Sequence, residues 1–308
     1  MKKQPLLIIA GPTASGKTAL SVELAKRLNG EIISADSMQV YRGMDIGTAK
    51  VTVEEMQGVP HHLIDILEPY EEWNVMEFCR LAAEKIDEIV SRGKLPILAG
   101  GTGFYIHALA YGAEFEEETK SEVREHLEQR SDEDLYAYLQ QVDPASCETI
   151  HMNNRKRVIR ALEYYEQTGN RMSELNARLK EKEAVYDLCF LVLDLDRAVL
   201  YERIDRRVDI MLEQGLVEEV QRLRDAGYHR EMVSMKGLGY KEILAYLDGE
   251  ISLEEAVYVL KRDTRHFAKR QLTWMRREKD VIFLEREPVE SLVDRAEKVV
   301  KDHLLDRV

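Results

Sequence analysis

The chain has 308 residues, 44% of them hydrophobic, which suffices for about two globular domains, and no apolar run approaches the ~20 residues that a membrane-spanning helix needs. A net charge of −13 argues against a surface that binds nucleic acid everywhere, and the three scattered cysteines, Cys79, Cys147 and Cys189, give neither a disulfide framework nor zinc-ligand spacing. The N-terminal "MKKQPLLIIAGP" has too short an apolar segment for a signal peptide, so a cytoplasmic protein without membrane contact is expected.

In chain order, "LLIIA" (6–10) reads as a short buried strand, "GPTASGKT" (11–18) as a loop, and residues 16–28 as a helix. "EIISAD" (31–36) is the next strand, which completes a βαβ unit. A long amphipathic helix covers about 75–91, opened by Asn74 with Glu77 three residues on, a capping-box arrangement, and closed by Gly93. "KLPILAGG" is the third strand. From "EFEEETK" (114–120) the pattern changes to some seventy residues of helix without a strand, and strand returns at "YDLCFLVLDLD" (186–196). Helices are predicted at about 197–226 and 237–247. A long one is opened by Ser252 with Glu255, and a strand "VIFLE" and a terminal helix follow. Strands alternating with helices and apolar almost throughout predict an α/β fold, a P-loop parallel sheet flanked by helices. The core is assigned to 1–114 and 186–308, and an all-helical insertion domain to 115–185.

The loop fits G-x-x-x-x-G-K-[ST] between a strand and a helix. The backbone N–H groups of Gly11, Thr13, Ala14, Ser15, Gly16, Lys17 and Thr18, with Pro12 shaping the turn, form an anion cradle at a helix N-terminus. Lys17 adds a positive charge, and the Thr18 hydroxyl suits Mg2+. This predicts a bound diphosphate or triphosphate, in a nucleotide-binding type of fold. A P-loop hydrolase would place a magnesium-binding Asp on a neighbouring strand, but the third strand ends in "AGGTGFYI". The second strand ends in "ADSMQVYRGMDIGTAK". At the carboxyl ends of parallel strands, Asp36, Ser37 and Gln39 should face whatever the loop holds, with Thr102 beside them. An Asp in that position also serves commonly as a turn residue. His61 and His62 have no metal-site spacing and are read as packing or loop residues. Two segments are locally basic in an acidic chain: "NNRKRVIR", with Arg155, Lys156, Arg157 and Arg160, and "KRDTRHFAKRQLTWMRR" (261–277), with Arg270 and Trp274.

Six blocks, "GPTASGKT", "SADSMQVYRGMDIGTAK", "HHLIDI", "ILAGGTGFYI", "NNRKRVIRALEYYEQTG" and "RHFAKRQLTWMRR", resemble in order and spacing the signature blocks of bacterial members of the tRNA isopentenyltransferase family. The resemblance implies transfer of a dimethylallyl group from dimethylallyl diphosphate to the N6 amine of the adenosine 3′ of the anticodon. The loop would then hold the diphosphate of an alkyl donor. It further places Ser37, Met38 and Gln39 on the tRNA, Thr102 near the adenosine, and Arg207 on the diphosphate; an ion pair of Arg207 with Asp205 or Asp209 is the plain alternative. An adenine amine is a weak nucleophile, so Asp36 is the candidate general base. Lys17, Thr18 with Mg2+, the loop amides and an arginine suit the developing diphosphate charge. Arg155, Lys156, Arg157, Arg160, Arg270 and Trp274 become expected tRNA contacts, and Arg124, ringed by Glu122, Glu125 and Glu128, a weaker one. The competing reading is a small-molecule P-loop kinase whose insertion serves as a lid. A monomer is expected.

Overall fold

A computed structural model describes residues 3–112, 122–285 and 288–305. Six parallel strands form one sheet in the order β3-β2-β4-β1-β5-β6. The central β1 (Pro5–Ala10) is followed by α1 (Lys17–Arg27) and β2 (Gly30–Ala35). A short α2 (Val53–Met56) leads to an edge strand β3 of two residues, His61–His62, too short to carry a sequence pattern. Next come α3 (Val75–Ser91), β4 (Leu95–Gly100) and α4 (Gly103–Tyr111).

Leu7 lies opposite both Ile97 of β4 and Cys189 on the next strand, so the middle of the sheet is paired on both edges. It is also covered on both faces: Leu6, Leu7, Ile8 and Ile9 are all fully buried, which is why β1 reads as an unbroken apolar run.

Two compact units divide the chain, one of Met1–Gly112 with Val185–Val308, the other Ala113–Ala184. The expected boundary at 114/115 lies outside the described residues. The smaller unit holds α5 (Glu122–Glu128), α6 (Asp132–Val142), α7 (Pro144–Cys147), α8 (Arg155–Thr168) and α9 (Met172–Glu181). Leu127, Leu135, Leu139, Val158 and Leu162 make its core. Buried Asp143 ties it together, accepting hydrogen bonds from the Ser146 and Ser173 hydroxyls at 2.6 and 2.5 Å.

In the larger unit the chain resumes with β5 (Asp187–Asp194), α10 (Arg197–Glu213) and α11 (Leu216–Asp225). The single helix expected over 197–226 is broken because Gly215 takes φ 96°, a left-handed conformation that glycine adopts without steric cost. A 3-10 turn at Ser234–Lys236 and left-handed Gly239 (φ 92°) delay the next helix, α12, to Tyr240–Leu247. The long α13 (Leu253–Met275), β6 (Val281–Glu285) and α14 (Val289–Val300) complete the unit. At α13 the Ser252–Glu255 capping box forms in both directions. At α3 only half of it forms: Asn74 accepts from the Glu77 N–H, while the Glu77 carboxylate pairs with Arg80.

Glu31, at the start of β2, is buried and pairs with Arg92, Lys94 and His62. Burial alone would raise its pKa, but the hydrogen bonds from Lys94, His62 and Arg92 outweigh it and hold the carboxyl at about 2. A pKa below the unfolded value means that this stabilisation is complete above about pH 4.5 and is lost as pH falls towards 2. Glu31→Gln should therefore cost roughly 1.5–3 kcal/mol in denaturant unfolding at pH 7. The gap from wild type should narrow as the pH is lowered through that window.

Candidate active site

The segments after β1, β2 and β4 leave the sheet at its carboxyl edge and line one cavity of about 420 Å3. Lys17, Thr18, Asp36, Ser37, Met38, Gln39, Thr102, Arg207 and Arg270 all lie on its wall, as does Thr13 at the start of the loop. Ile204, Val208 and Met211 of α10, with Leu260 and Phe267 of α13, give that wall an apolar side.

Helix α1 begins at left-handed Gly16 (φ 98°) with no side-chain cap, so its first N–H groups stay available to an anion. Ala14 also has positive φ, and Ser15 N–H donates to Pro12 O, which curls the loop. The Lys17 ammonium donates to Pro12 O at 2.8 Å. Lys17 keeps a face on the cavity, yet protein encloses its ammonium; burial first, then the neighbouring Arg207 charge, pulls its pKa down to about 7, while Asp36 acts in the opposite sense.

The two oxygens of Asp36 differ in their partners. Oδ1 accepts the Met38 and Gln39 N–H groups at 2.8 and 3.2 Å, the work of a turn residue. Oδ2 has no hydrogen-bond partner among the described residues, on a side chain that lines the cavity. The Gln39 amide is engaged by its own chain: Oε1 accepts from Ser34, and Nε2 donates to Thr48 O and Ala49 O at 3.4 and 3.3 Å. Thr102 stands at the start of α4 without capping it with its side chain.

Arg207 is not paired with its sequence neighbours. Asp205 is taken by Arg265 and Asp209 by Lys261, both from α13, and the Arg207 guanidinium donates to Ala49 O at 3.4 Å. Burial lowers its pKa, as expected of a cation on a cavity wall.

The remaining predicted contacts separate by surface position. Lys156 and Arg157 are exposed. Arg155 is held inside its own unit by Asp132 and by the carbonyls of Glu128 and Arg130. Arg160 lies 3.8 Å from Glu163, and Arg124 pairs with Glu128 and Glu163. Arg270 is exposed, whereas the Trp274 ring packs where a Gly103 side chain would otherwise stand. His61 lines the cavity with Nδ1 on Val59 O, and His62 binds Glu31.

One network carried no sequence signal. Buried Glu219 of α11 accepts the N–H groups of Asp45, Ile46 and Gly47 and the Tyr240 hydroxyl, all within 3.0 Å. It fixes the 45–49 segment whose carbonyls receive Gln39 and Arg207. A lone Glu in an amphipathic helix gives no hint of this.

A model of the family described as IPP transferase matches residues 39–278, and one described as isopentenyl transferase matches residues 4–67. The chain belongs to the IPP transferase family. It is 55% identical over 303 residues, 97% of each chain, to the tRNA dimethylallyltransferase of Lachnoclostridium phytofermentans. The solved tRNA isopentenylpyrophosphate transferase of Staphylococcus epidermidis superposes with a TM-score of 0.74 at 46% identity, covering 97% of this chain and all of that one. A eukaryotic dimethylallyltransferase, solved acting on tRNA, gives a TM-score of 0.84 at 30% identity over 99% of this chain and 80% of its own.

The Lys17 environment generates a direct test. With a pKa of about 7 the Lys17 amine is largely neutral at pH 8, and a bound polyanion favours its charged form. Calorimetry of inorganic diphosphate binding at pH 8, in buffers of differing ionisation enthalpy, should report more proton uptake by the wild type than by Lys17→Arg, which is charged throughout.

Proposed function

We infer that this chain is a tRNA dimethylallyltransferase. It moves a dimethylallyl group from dimethylallyl diphosphate to the N6 amine of the adenosine immediately 3′ of the anticodon and releases diphosphate. The observation that carries this reading is the juxtaposition in one cavity of an anion-binding loop, an apolar wall and a carboxylate with one oxygen unused. Names of relatives 49–55% identical to this chain point the same way.

In the reaction the N6 lone pair forms the new C–N bond as the allylic C–O bond breaks, and the electron pair of that bond leaves on diphosphate. The amine proton goes to Asp36 Oδ2, since Oδ1 is committed to the turn. Lys17, the loop amides and Arg207 meet the charge that grows on the departing diphosphate, in a site whose walls screen it little. Ser37, Gln39 and Thr102 bound the space left for the adenosine.

Among the described residues no three His, Cys, Asp or Glu side chains cluster as a metal site. That fits Mg2+, which is commonly held by phosphate oxygens and water with one or two protein ligands. Thr18, on the cavity wall beside Lys17, would be its protein ligand. The bound ion would neutralise diphosphate charge.

The tRNA surface is assigned to Lys156 and Arg157 on the helical unit and to Arg270 on α13, all exposed. Arg155 serves that surface indirectly by anchoring the start of α8. We place the enzyme in the cytoplasm, as a monomer, because its substrate is tRNA; among the described residues no helix is long and apolar enough to cross a membrane.

Incubation with labelled dimethylallyl diphosphate and unmodified tRNA should put label on one adenosine per tRNA, with diphosphate released only when tRNA is present. Steady phosphate release from ATP with a small acceptor, and no label on tRNA, would support the kinase reading instead.

A further inference from the structure

Gln271 sits in the middle of a basic helix segment, yet it is only 8% exposed. Its Oε1 accepts the Thr13 N–H at 2.9 Å, and its Nε2 donates to Gly101 O at 2.9 Å. One planar amide thus joins α13 to the loop after β1 and to the turn after β4. The two partners lie 258 and 170 residues away in sequence.

The surrounding sequence makes room for this contact. A side chain at Gly101 would collide with the Gln271 Nε2, and one at Gly103 with the Trp274 ring. Gln271 and Trp274 are three residues apart on α13, so they share a helix face. Two glycines of "AGGTG" therefore let that face settle directly on the β4–α4 turn. A primary amide is suited to the position because it offers one acceptor and two donors on a rigid plane, while the loop presents an N–H and the turn a C=O. An apolar residue of the same size would leave both backbone groups without partners.

From this geometry we propose that Gln271 is a positioning residue for the diphosphate loop. It holds the loop's first turn at Thr13 while α1 holds the other end, so the cradle that follows is set before the anion arrives. The same amide fixes Gly101, the residue before Thr102, and so keeps the donor loop and the Thr102 wall in constant relation. Preorganised donors cost no rearrangement as charge develops on the leaving group. This inference rests on the transferase reading for its catalytic meaning, but the loop geometry can be tested without transfer.

The test uses the full-length protein, inorganic diphosphate as probe, and the variant Gln271→Met, which keeps the volume and removes both hydrogen bonds. Diphosphate affinity should fall by about tenfold, the equivalent of one to two hydrogen bonds. Deuterium uptake across the Gly11–Ser15 segment should quicken by at least a similar factor, and KM for tRNA should stay within about twofold, a split that general loss of stability would not give. If Gln271→Met does not fold, Gly101→Ala displaces the same amide and should reproduce both changes. Diphosphate affinity and loop exchange within about twofold of wild type would overturn the proposal, as would fast exchange of the Thr13 amide in the wild-type protein. A wild type that shows slow loop exchange but no diphosphate binding would refute the transferase reading and leave the Gln271 contact standing.

Discussion

Because β1, β2 and β4 run side by side in one direction, the segments that follow them leave the sheet at a common edge, and that parallelism places the whole cavity. The loop from Gly11, the turn from Asp36 and the start of α4 at Thr102 are distant in sequence but neighbours in register, since Ala10 lies opposite Gly100 and Ala35 opposite Gly100 from the other side. Gly100 has to be small: a side chain there would run into the backbone of Ala35. The close approach keeps the turn at Asp36 beside the loop from Gly11 on the cavity. Burial of both sheet faces and the absence of a side chain at Gly100 therefore serve one geometric end.

Electrostatics then divide the cavity. Lys17 and Arg207 stand near one another with little solvent, and each loses charge stability to burial. Helix α13 contributes by taking Asp205 and Asp209 out of reach through Arg265 and Lys261, which leaves Arg207 to the cavity. A polyanion entering between these cations relieves the cost of desolvating them. An anion that gains charge in the transition state relieves more of it, which is the differential stabilisation that raises rate.

Strand–loop–helix chemistry was legible in the sequence wherever it was local. The G-x-x-x-x-G-K-T spacing, the apolar strands and the Asp at the end of β2 are each contained within a few residues, and the structure brings Lys17, Asp36, Thr102 and Arg207 onto one wall. Long-range use of ordinary residues was not legible. Gln271 looks like one polar residue in a solvated face, and Glu219 like any helix carboxylate, until the backbone groups they hold are known. The basic run at 155–160 mixes two uses, since Arg155 ties down its own unit while Lys156 and Arg157 face solvent. The helix break at left-handed Gly215 was missed because periodicity continues across it, whereas left-handed Gly93 just past α3 was read.

Single-turnover transfer by Asp36→Asn tests most directly whether one Asp36 oxygen holds the turn while the other takes the amine proton. Asparagine keeps a carbonyl oxygen for the Met38 and Gln39 N–H groups, so the turn survives, but it offers no second oxygen to take a proton. Transfer should be slower by roughly 10²–10⁴, the usual span for a positioned base, with tRNA binding little changed. A folded Asp36→Asn protein that transferred the dimethylallyl group within a few-fold of the wild-type rate would contradict it, and Asp36 would be a turn residue alone.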